Sequence, residues 1–293
     1  MSRTTDLEIR MKTYENVPKN KLMRRCPVAI RLGGCHFKSF TKDFDKPFDI
    51  IFMKSMQETM KYLCENVQGC ILGYTQSDEI TLILVDYEHL NSEAWFDDEV
   101  EKICSVTAGM ASMAFNKIFY ENTHEFVSEN GYSHVQMLTV KQFLLMKNEK
   151  LINAYRRVQK QGAYFDARCF NVPKEEVANL IYWRQSCGHR NAIQVAGCAY
   201  FSSEELRGKN GDEIIKMLRK KGIEWSAYSN DAVWGSCCVR NNRPGILPDG
   251  RRFYYMYDRD KRERAWIIDH HIPVFFGKGR LYINALVYTE SED

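Results

Sequence analysis

The sequence predicts an α+β protein whose antiparallel sheet carries helices packed on one face. Three observations point there. A short β-type run, Val28-Ala29-Ile30-Arg31-Leu32, stops at the glycine pair Gly33-Gly34. Two apolar runs, residues 70–74 and 80–85, flank the polar segment Thr75-Gln76-Ser77-Asp78-Glu79, the pattern of a β-hairpin turning near Ser77-Asp78-Glu79. Apolar residues at helical spacing fill the intervals, so the order is β, long helix, β-hairpin, long helix, β.

Taken in order, the loop CHFKSFTKDFDKPFD follows the first strand and mixes aromatics with charges. From Ile50, the residues Phe52, Met53, Met56, Met60, Leu63, Cys64 and Val67 recur three and four apart, a helix that Gly69 would stop. The hairpin comes next. Residues 86–101 carry seven Asp/Glu and no Lys/Arg, read as a solvated acidic loop and helix start. Residues 99–118 form a second helix, rich in small residues. Between Lys141 and Gln161 six Lys/Arg face one acid: a solvated face by default, a phosphate contact as the sharper reading. Phe165-Asp166-Ala167-Arg168-Cys169-Phe170 reads as a strand, and Pro173 opens a helix that breaks at the polar stretch 186–191. A helix over Gly211–Lys220 is closed by Gly222. The tail alternates β-type segments (SCCV, FYYMY, AWII, LYINALVY), with ten Lys/Arg against five acids between Arg240 and Arg280. This divides the chain into 1–175, carrying the sheet, and 176–293, a smaller C-terminal α/β extension packed on it.

The composition excludes several classes. The chain has 293 residues, 44% hydrophobic and 27% charged, near the average for a globular protein and long enough for a core without staples. No apolar run reaches membrane-spanning length and the N-terminus lacks a signal-peptide core, so a cytoplasmic protein with no membrane partner is expected. The net charge of +3 argues for no partner by itself. Ten cysteines without a C-x-x-C pair read as reduced thiols.

In this layout the end of the first strand and the hairpin turn can lie side by side, and two carboxylates there would hold a pair of divalent cations for phosphoryl transfer. Asp78 and Glu79 occupy one of those places; Gly33-Gly34 occupies the other.

Arg31-Leu32-Gly33-Gly34-x-x-Phe37-x-x-Phe40 followed by Lys46-Pro47-x-Asp49 resembles the first motif of the tRNA-His guanylyltransferase family. Gly73-Tyr74-x-Gln76-Ser77-Asp78-Glu79 resembles its hairpin motif. Phe165-Asp166-Ala167-Arg168 and Trp183-Arg184-Gln185, with Asn191 following, resemble the two later ones. The resemblance runs from about Arg24 to Val239 and is nearest to the bacterial, archaeal and phage-type relatives. It implies a fold like a polymerase palm and nucleotide addition to a 5′ end, on tRNA or another structured RNA. ATP or GTP would activate the 5′-monophosphate, two Mg²⁺ ions would serve both steps, and the assembly would be a homotetramer. It makes Asp78 a ligand to both metals and the Gly34 carbonyl a further ligand, while Glu79, of second rank, would orient the site or cap the turn. Gly34, Cys35, His36, Phe37 and Lys38 would present backbone N–H groups to a triphosphate, with Lys46, Asp49 and Ser77 beside them. Arg168, Arg184 and Asn191 are candidates for RNA or phosphate contacts; Arg168 and Arg184 could equally be structural ion pairs.

The sequence departs from the family at set places. Gly33 stands where a metal-binding Asp is usual, Cys35 where a basic residue is usual and Cys187 where Asp is frequent. The His-Ile-Asn-Asn tetrad of eukaryotic members reads His189-Arg190-Asn191-Ala192. Two readings follow: a 3′-to-5′ nucleotidyltransferase impaired at Gly33, whose place Asp49, Glu79 or water could take, and a non-catalytic RNA- or nucleotide-binding relative. A nucleotide cyclase, which shares the palm arrangement, is opposed by the Lys46-Pro47, Phe165–Arg168 and Trp183–Gln185 motifs.

Overall fold

Alternation along β1 (Val28–Gly34) sets the architecture. Val28, Ile30 and Leu32 enter one buried cluster, whereas Ala29 enters another. Side chains two apart share a face, so Arg31 and Gly33 lie on the Ala29 face. The structure, a computed structural model, describes residues 5–130, 140–241, 244–246, 252–254, 260–262 and 265–288. The hairpin strands are β2 (Cys70–Gln76) and β3 (Glu79–Leu84), followed by β4 (Phe165–Asn171) and β5 (Ser236–Arg240). A separate pair, β6 (Pro244–Ile246) and β7 (Arg252–Tyr254), precedes β8 (Trp266–Asp269). Six strands form one sheet ordered β4-β1-β3-β2-β5-β8, with every neighbouring pair antiparallel. The C-terminal region thus supplies two strands of the same sheet, β5 pairing with β2 through Gly73 and Cys238. Much of the basic 240–280 segment, including Tyr255 and Tyr257, lies outside the described residues.

The helices are α1 (Asp6–Asn16), α2 (Phe37–Phe40), α3 (Ile50–Asn66), α4 (Val100–Asn130) and α5 (Val140–Gln161). They continue with α6 (Lys174–Tyr200), α7 (Ser203–Leu206), α8 (Gly211–Lys220), α9 (Asn230–Trp234) and α10 (Arg280–Val287). Within residues 1–175, α3, α4 and α5 cover the Ile30 face, the one-sided packing expected; α1 buries nothing. The Ala29 face is covered by α6 and α10, from the C-terminal region. The order of elements in the first half alone does not reveal that second layer.

Two expectations are corrected here. The stretch 186–191 is no break: α6 runs unbroken, and its polar residues stand where it crosses the hairpin end. Gly188 lets the helix approach Gln76, whose side chain an added Cβ would meet at 2.7 Å. His189 stacks on Trp234, centroids 3.8 Å apart. LYINALVY is helical, not β: Tyr282, Ile283, Leu286 and Val287 are all buried, a spacing of one and four that only a helix turns to one side.

A cluster of rings holds the loop after β1. Phe37 touches Phe40, Phe52, Phe115 and Phe165 with centroids 5.0–5.8 Å apart. Such pairs contribute about 0.5–1.5 kcal/mol each beyond their buried area. All ten cysteines are free thiols. On the same face of the sheet, β2 meets α3 at Gly73, where an added Cβ would lie 2.5 Å from the Cys64 sulfur and 2.8 Å from Met60 Cγ. Both neighbours are buried, so Gly73→Ala is expected to cost about 1–3 kcal/mol by overpacking, read as a lower urea midpoint with an unchanged m-value.

Candidate active site

The hairpin closes through a two-residue loop, Ser77-Asp78, with Gln76 opposite Glu79. Ser77 has φ +56°, a left-handed value at the loop position where glycine is the usual occupant of a type II′ turn. The turn is tied down from three sides. Gly34 N–H donates to the Asp78 carbonyl at 3.0 Å, the Thr75 hydroxyl donates to the Glu79 carbonyl at 2.9 Å, and the Ser77 hydroxyl donates to Asp78 Oδ1 at 3.2 Å. The end of β1 and the hairpin turn therefore touch. Burial raises the pKa of Asp78, partly offset by its own backbone N–H, by Ser77 and by the charge of Arg184.

Gly33 lies between Glu79 on β3 and Asp166 on β4. Directly paired residues of an antiparallel sheet share a face, so all three point to the α6 side. A Cβ added at Gly33 would meet one atom within 4 Å, Asp166 Oδ1 at 3.6 Å. The place of the absent carboxylate is thus open, with another carboxylate at its edge. Asp166 is half exposed, accepts from Arg168 at 3.3 Å and faces the Cys35 thiol at 3.9 Å. Gly34 has no such room: an added Cβ would run into the Phe37 ring.

Glu79 is held between two cations, Arg31 at 3.3 Å and the buried Arg184. It is a positioning group, not a free carboxylate, which removes it as a stand-in for the absent Asp. Arg184 is thus buried in an ion pair with Glu79. Arg168 is paired with Asp166 yet remains exposed. Asp49 is removed as a stand-in too: it caps α3, accepting from Phe52 N–H at 2.8 Å, Asp45 N–H at 3.1 Å and the Tyr155 hydroxyl at 2.8 Å.

The loop after β1 departs from expectation at the amides. Gly34 N–H is taken by Asp78 and Cys35 N–H by the Tyr164 carbonyl at 2.9 Å, so neither can face a triphosphate. The Phe37 side chain is core, 4% exposed. His36 and Lys38 are exposed on either side of it. Beside the hairpin a cleft encloses about 800 Å³ of empty space, part of it open to solvent. Lys46, Asp49, Phe52, Ser77, Asn191 and Asp231 are on its wall, so residues far apart in sequence meet there. Lys46 Nζ reaches the Thr41 carbonyl at 3.4 Å, and Asn191 is exposed at the rim. Asp231 is new to the set; it pairs with His270 at 2.9 Å, and its second carboxylate oxygen is buried without a hydrogen-bond partner. Nothing in its local sequence marked it.

The oxygen donors at the sheet end are hard. Among the described residues no three His, Cys, Asp or Glu side chains converge as a metal-ligating group. Mg²⁺ needs no such cage, because it is held by one or two carboxylates together with substrate phosphates and water. Asp78 in the turn is a carboxylate of that kind, and Asp166 borders the open place at Gly33.

An antiparallel sheet with its first strand end locked to the turn of a carboxylate-bearing hairpin is a palm-like arrangement, of the kind nucleotidyltransferases use. The family model described as tRNAHis guanylyltransferase matches residues 8–173, and the chain belongs to that family. It is an enzyme of tRNA guanylyltransferase-like nucleotidyl transfer. A bacterial tRNA(His) guanylyltransferase-like protein solved in complex with ATP shares 30% identity, covering 97% of this chain and 100% of its own, with a TM-score of 0.74. A structure of a bacterial guanylyltransferase-like protein in complex with GTP shares 28% with a TM-score of 0.69, again covering 97% and 100% of the two chains. The enzyme from Saccharomyces cerevisiae, 18% identical over 85% of this chain and 96% of its own, has the same fold with a TM-score of 0.58. An uncharacterized protein, R259, of Acanthamoeba polyphaga mimivirus is 29% identical over 242 residues, 77% of this chain and 73% of its own. Among the described residues no helix is long and apolar enough to cross a membrane.

Proposed function

We propose that this chain adds nucleotides in the 3′-to-5′ direction to the 5′ end of tRNA or a similarly structured RNA. ATP or GTP transfers its nucleoside monophosphate to the 5′-monophosphate with release of pyrophosphate, and the 3′-hydroxyl of the incoming nucleotide, losing its proton, then attacks the RNA 5′ phosphorus and displaces AMP or GMP. The observation that carries this reading is the contact of the Gly33-Gly34 strand end with the Asp78 turn, beside an open cleft lined by Lys46, Ser77 and Asn191. Asp78 and Asp166 would hold Mg²⁺, Asp166 in place of the carboxylate absent at Gly33. Bound there with the substrate phosphates, the metal would offset their charge and lower the pKa of the attacking hydroxyl. Glu79, fixed by Arg31 and Arg184, keeps the turn in place. Lys46 and Lys38 are left to neutralise phosphates, and Asn191 at the cleft rim and Arg168 beside Gly33 to contact RNA. A homotetramer, testable by sedimentation, is part of the same reading.

The test is incubation with Mg²⁺, nucleoside triphosphates and a tRNA truncated at its 5′ end. Growth of the 5′ end supports the reading; binding of nucleotide and RNA without growth at any Mg²⁺ concentration would overturn it. Gly33→Asp is expected to raise addition and shift its Mg²⁺ requirement downward by about tenfold or more, since a further carboxylate strengthens a hard-oxygen site. There is space for the side chain beside Asp166. Equal rates across the whole titration would show that Asp166 already supplies what the introduced carboxylate would.

A further inference from the structure

Trp183 breaks the burial pattern of its helix. Its neighbours Ile181, Arg184 and Gln185 are buried, yet the indole is 48% exposed. It is not loose. Arg31 and Arg184 each place a guanidinium carbon 5.2 Å from the ring, within cation–π range. Both arginines are much less exposed than the indole, with side chains at 21% and 7%, so they hold it from the protein side and leave its outer surface open. Both also bond Glu79, the register partner of Gly33. The exposed indole is thus one layer of contacts from the strand end that meets Asp78.

The charge around it is positive. Arg31 and Arg184 share the single carboxylate Glu79, and Arg168, the cross-strand partner of Arg31, is paired with Asp166. Arg190 lies seven residues along α6, on the same helical face, exposed and bonded only to the Cys187 sulfur at 3.2 Å among the described contacts. A rigid, half-open aromatic face with a surplus of guanidinium charge suits a nucleobase and its phosphates, because every base offers a π-face and its backbone carries the opposite charge. An apolar protein partner would gain nothing from the arginines.

We propose that Trp183 is the stacking platform for an unpaired terminal base at an RNA 5′ end, with Arg168 and Arg190 meeting its phosphates. This rests on the 5′-end chemistry proposed above. Stacking would hold the end in one orientation beside Gly33 and Asp78, which is the positioning that a transfer to that end requires.

The test uses the full chain and two acceptor-stem hairpin RNAs, one with a single unpaired 5′ nucleotide and one blunt. Affinities are measured at two salt concentrations for the wild type, Trp183→Phe and Trp183→Leu, with thermal melts alongside. Expected is a wild-type preference for the unpaired end and its loss in Trp183→Leu, roughly five- to a hundredfold on that RNA alone. Trp183→Phe should retain most of the preference, and the salt slope should be unchanged because no phosphate contact is removed. Equal affinity of Trp183→Leu and wild type would overturn the proposal. So would an equal loss on both RNAs accompanied by a lower melting temperature, which would make Trp183 a cover for the Arg31–Glu79–Arg184 cluster. If the wild type extends a truncated tRNA but shows no preference for the unpaired end, the stacking fails and the 5′-end reading stands. If it binds neither RNA, both fail.

Discussion

Asp78→Ala is expected to remove Mg²⁺-dependent nucleotide binding and transfer, with a loss exceeding about 100-fold. Changing a residue that merely supports a metal ligand costs roughly 10–100-fold, so loss of a ligand should cost more. The fold should survive, because the contacts that hold the turn are made by the backbone. Gly34 N–H bonds the Asp78 carbonyl and the Thr75 hydroxyl bonds the Glu79 carbonyl, and neither needs the Asp78 side chain. The Ser77 hydroxyl and the backbone N–H of residue 78 lose a partner, both at the solvent-facing turn. Isothermal titration with GTP, with and without Mg²⁺, reads the effect, and unchanged Mg²⁺-dependent affinity would count against the role assigned to Asp78. A pH series adds a second readout. Cation binding needs the ionised carboxylate, and burial raises this pKa above the ordinary aspartate value of 3.8. Mg²⁺-dependent binding should therefore fail, on acidification, at a higher pH than an ordinary aspartate would allow.

Asp49→Ala should be the most damaging single change to stability near the site, about 2–3 kcal/mol. The helix cap accounts for roughly 1 kcal/mol, and the buried Tyr155 hydroxyl and Asp45 N–H lose an acceptor besides. Asp49→Asn keeps an oxygen for the cap and should cost much less. The two forms should also differ with pH. The pKa of Asp49 in the fold is raised, chiefly by burial, while the unfolded chain titrates near 3.8. Between those values the native state holds the extra proton, so wild-type stability falls as pH rises through that window, and its difference from Asp49→Asn closes in acid. Chemical unfolding at several pH values measures both. If Asp49→Ala were as stable as wild type but lost nucleotide, Asp49 would belong to the binding site and not to the scaffold.

Much of the site was legible as a local pattern. The polar segment around Ser77-Asp78 between two apolar runs reads as a hairpin turn, because short-range patterning decides it. The helix from Ile50 and the helix over Gly211–Lys220 follow from the spacing of residues a few positions apart. What the residues do chemically was less legible. Arg184 and Glu79 are 105 positions apart and meet only because α6 lies over the hairpin end. Phe37 reads as part of a phosphate loop, yet its ring is drawn into the aromatic cluster, where burial outweighs any surface role.

The sequence by itself determined the elements of the sheet, the carboxylate in the turn and the glycine where its partner carboxylate would stand, since each depends on near neighbours along the chain. Tertiary structure alone decided that Asp166 faces that glycine. The pairing of β1 with β4 follows from burying alternate side chains on the two covered faces, and a slip of one residue would turn Asp166 to the opposite side. It likewise decided that LYINALVY is helical, because the Ala29 face of the sheet needed a cover and a helix turns Tyr282, Ile283, Leu286 and Val287 onto it together.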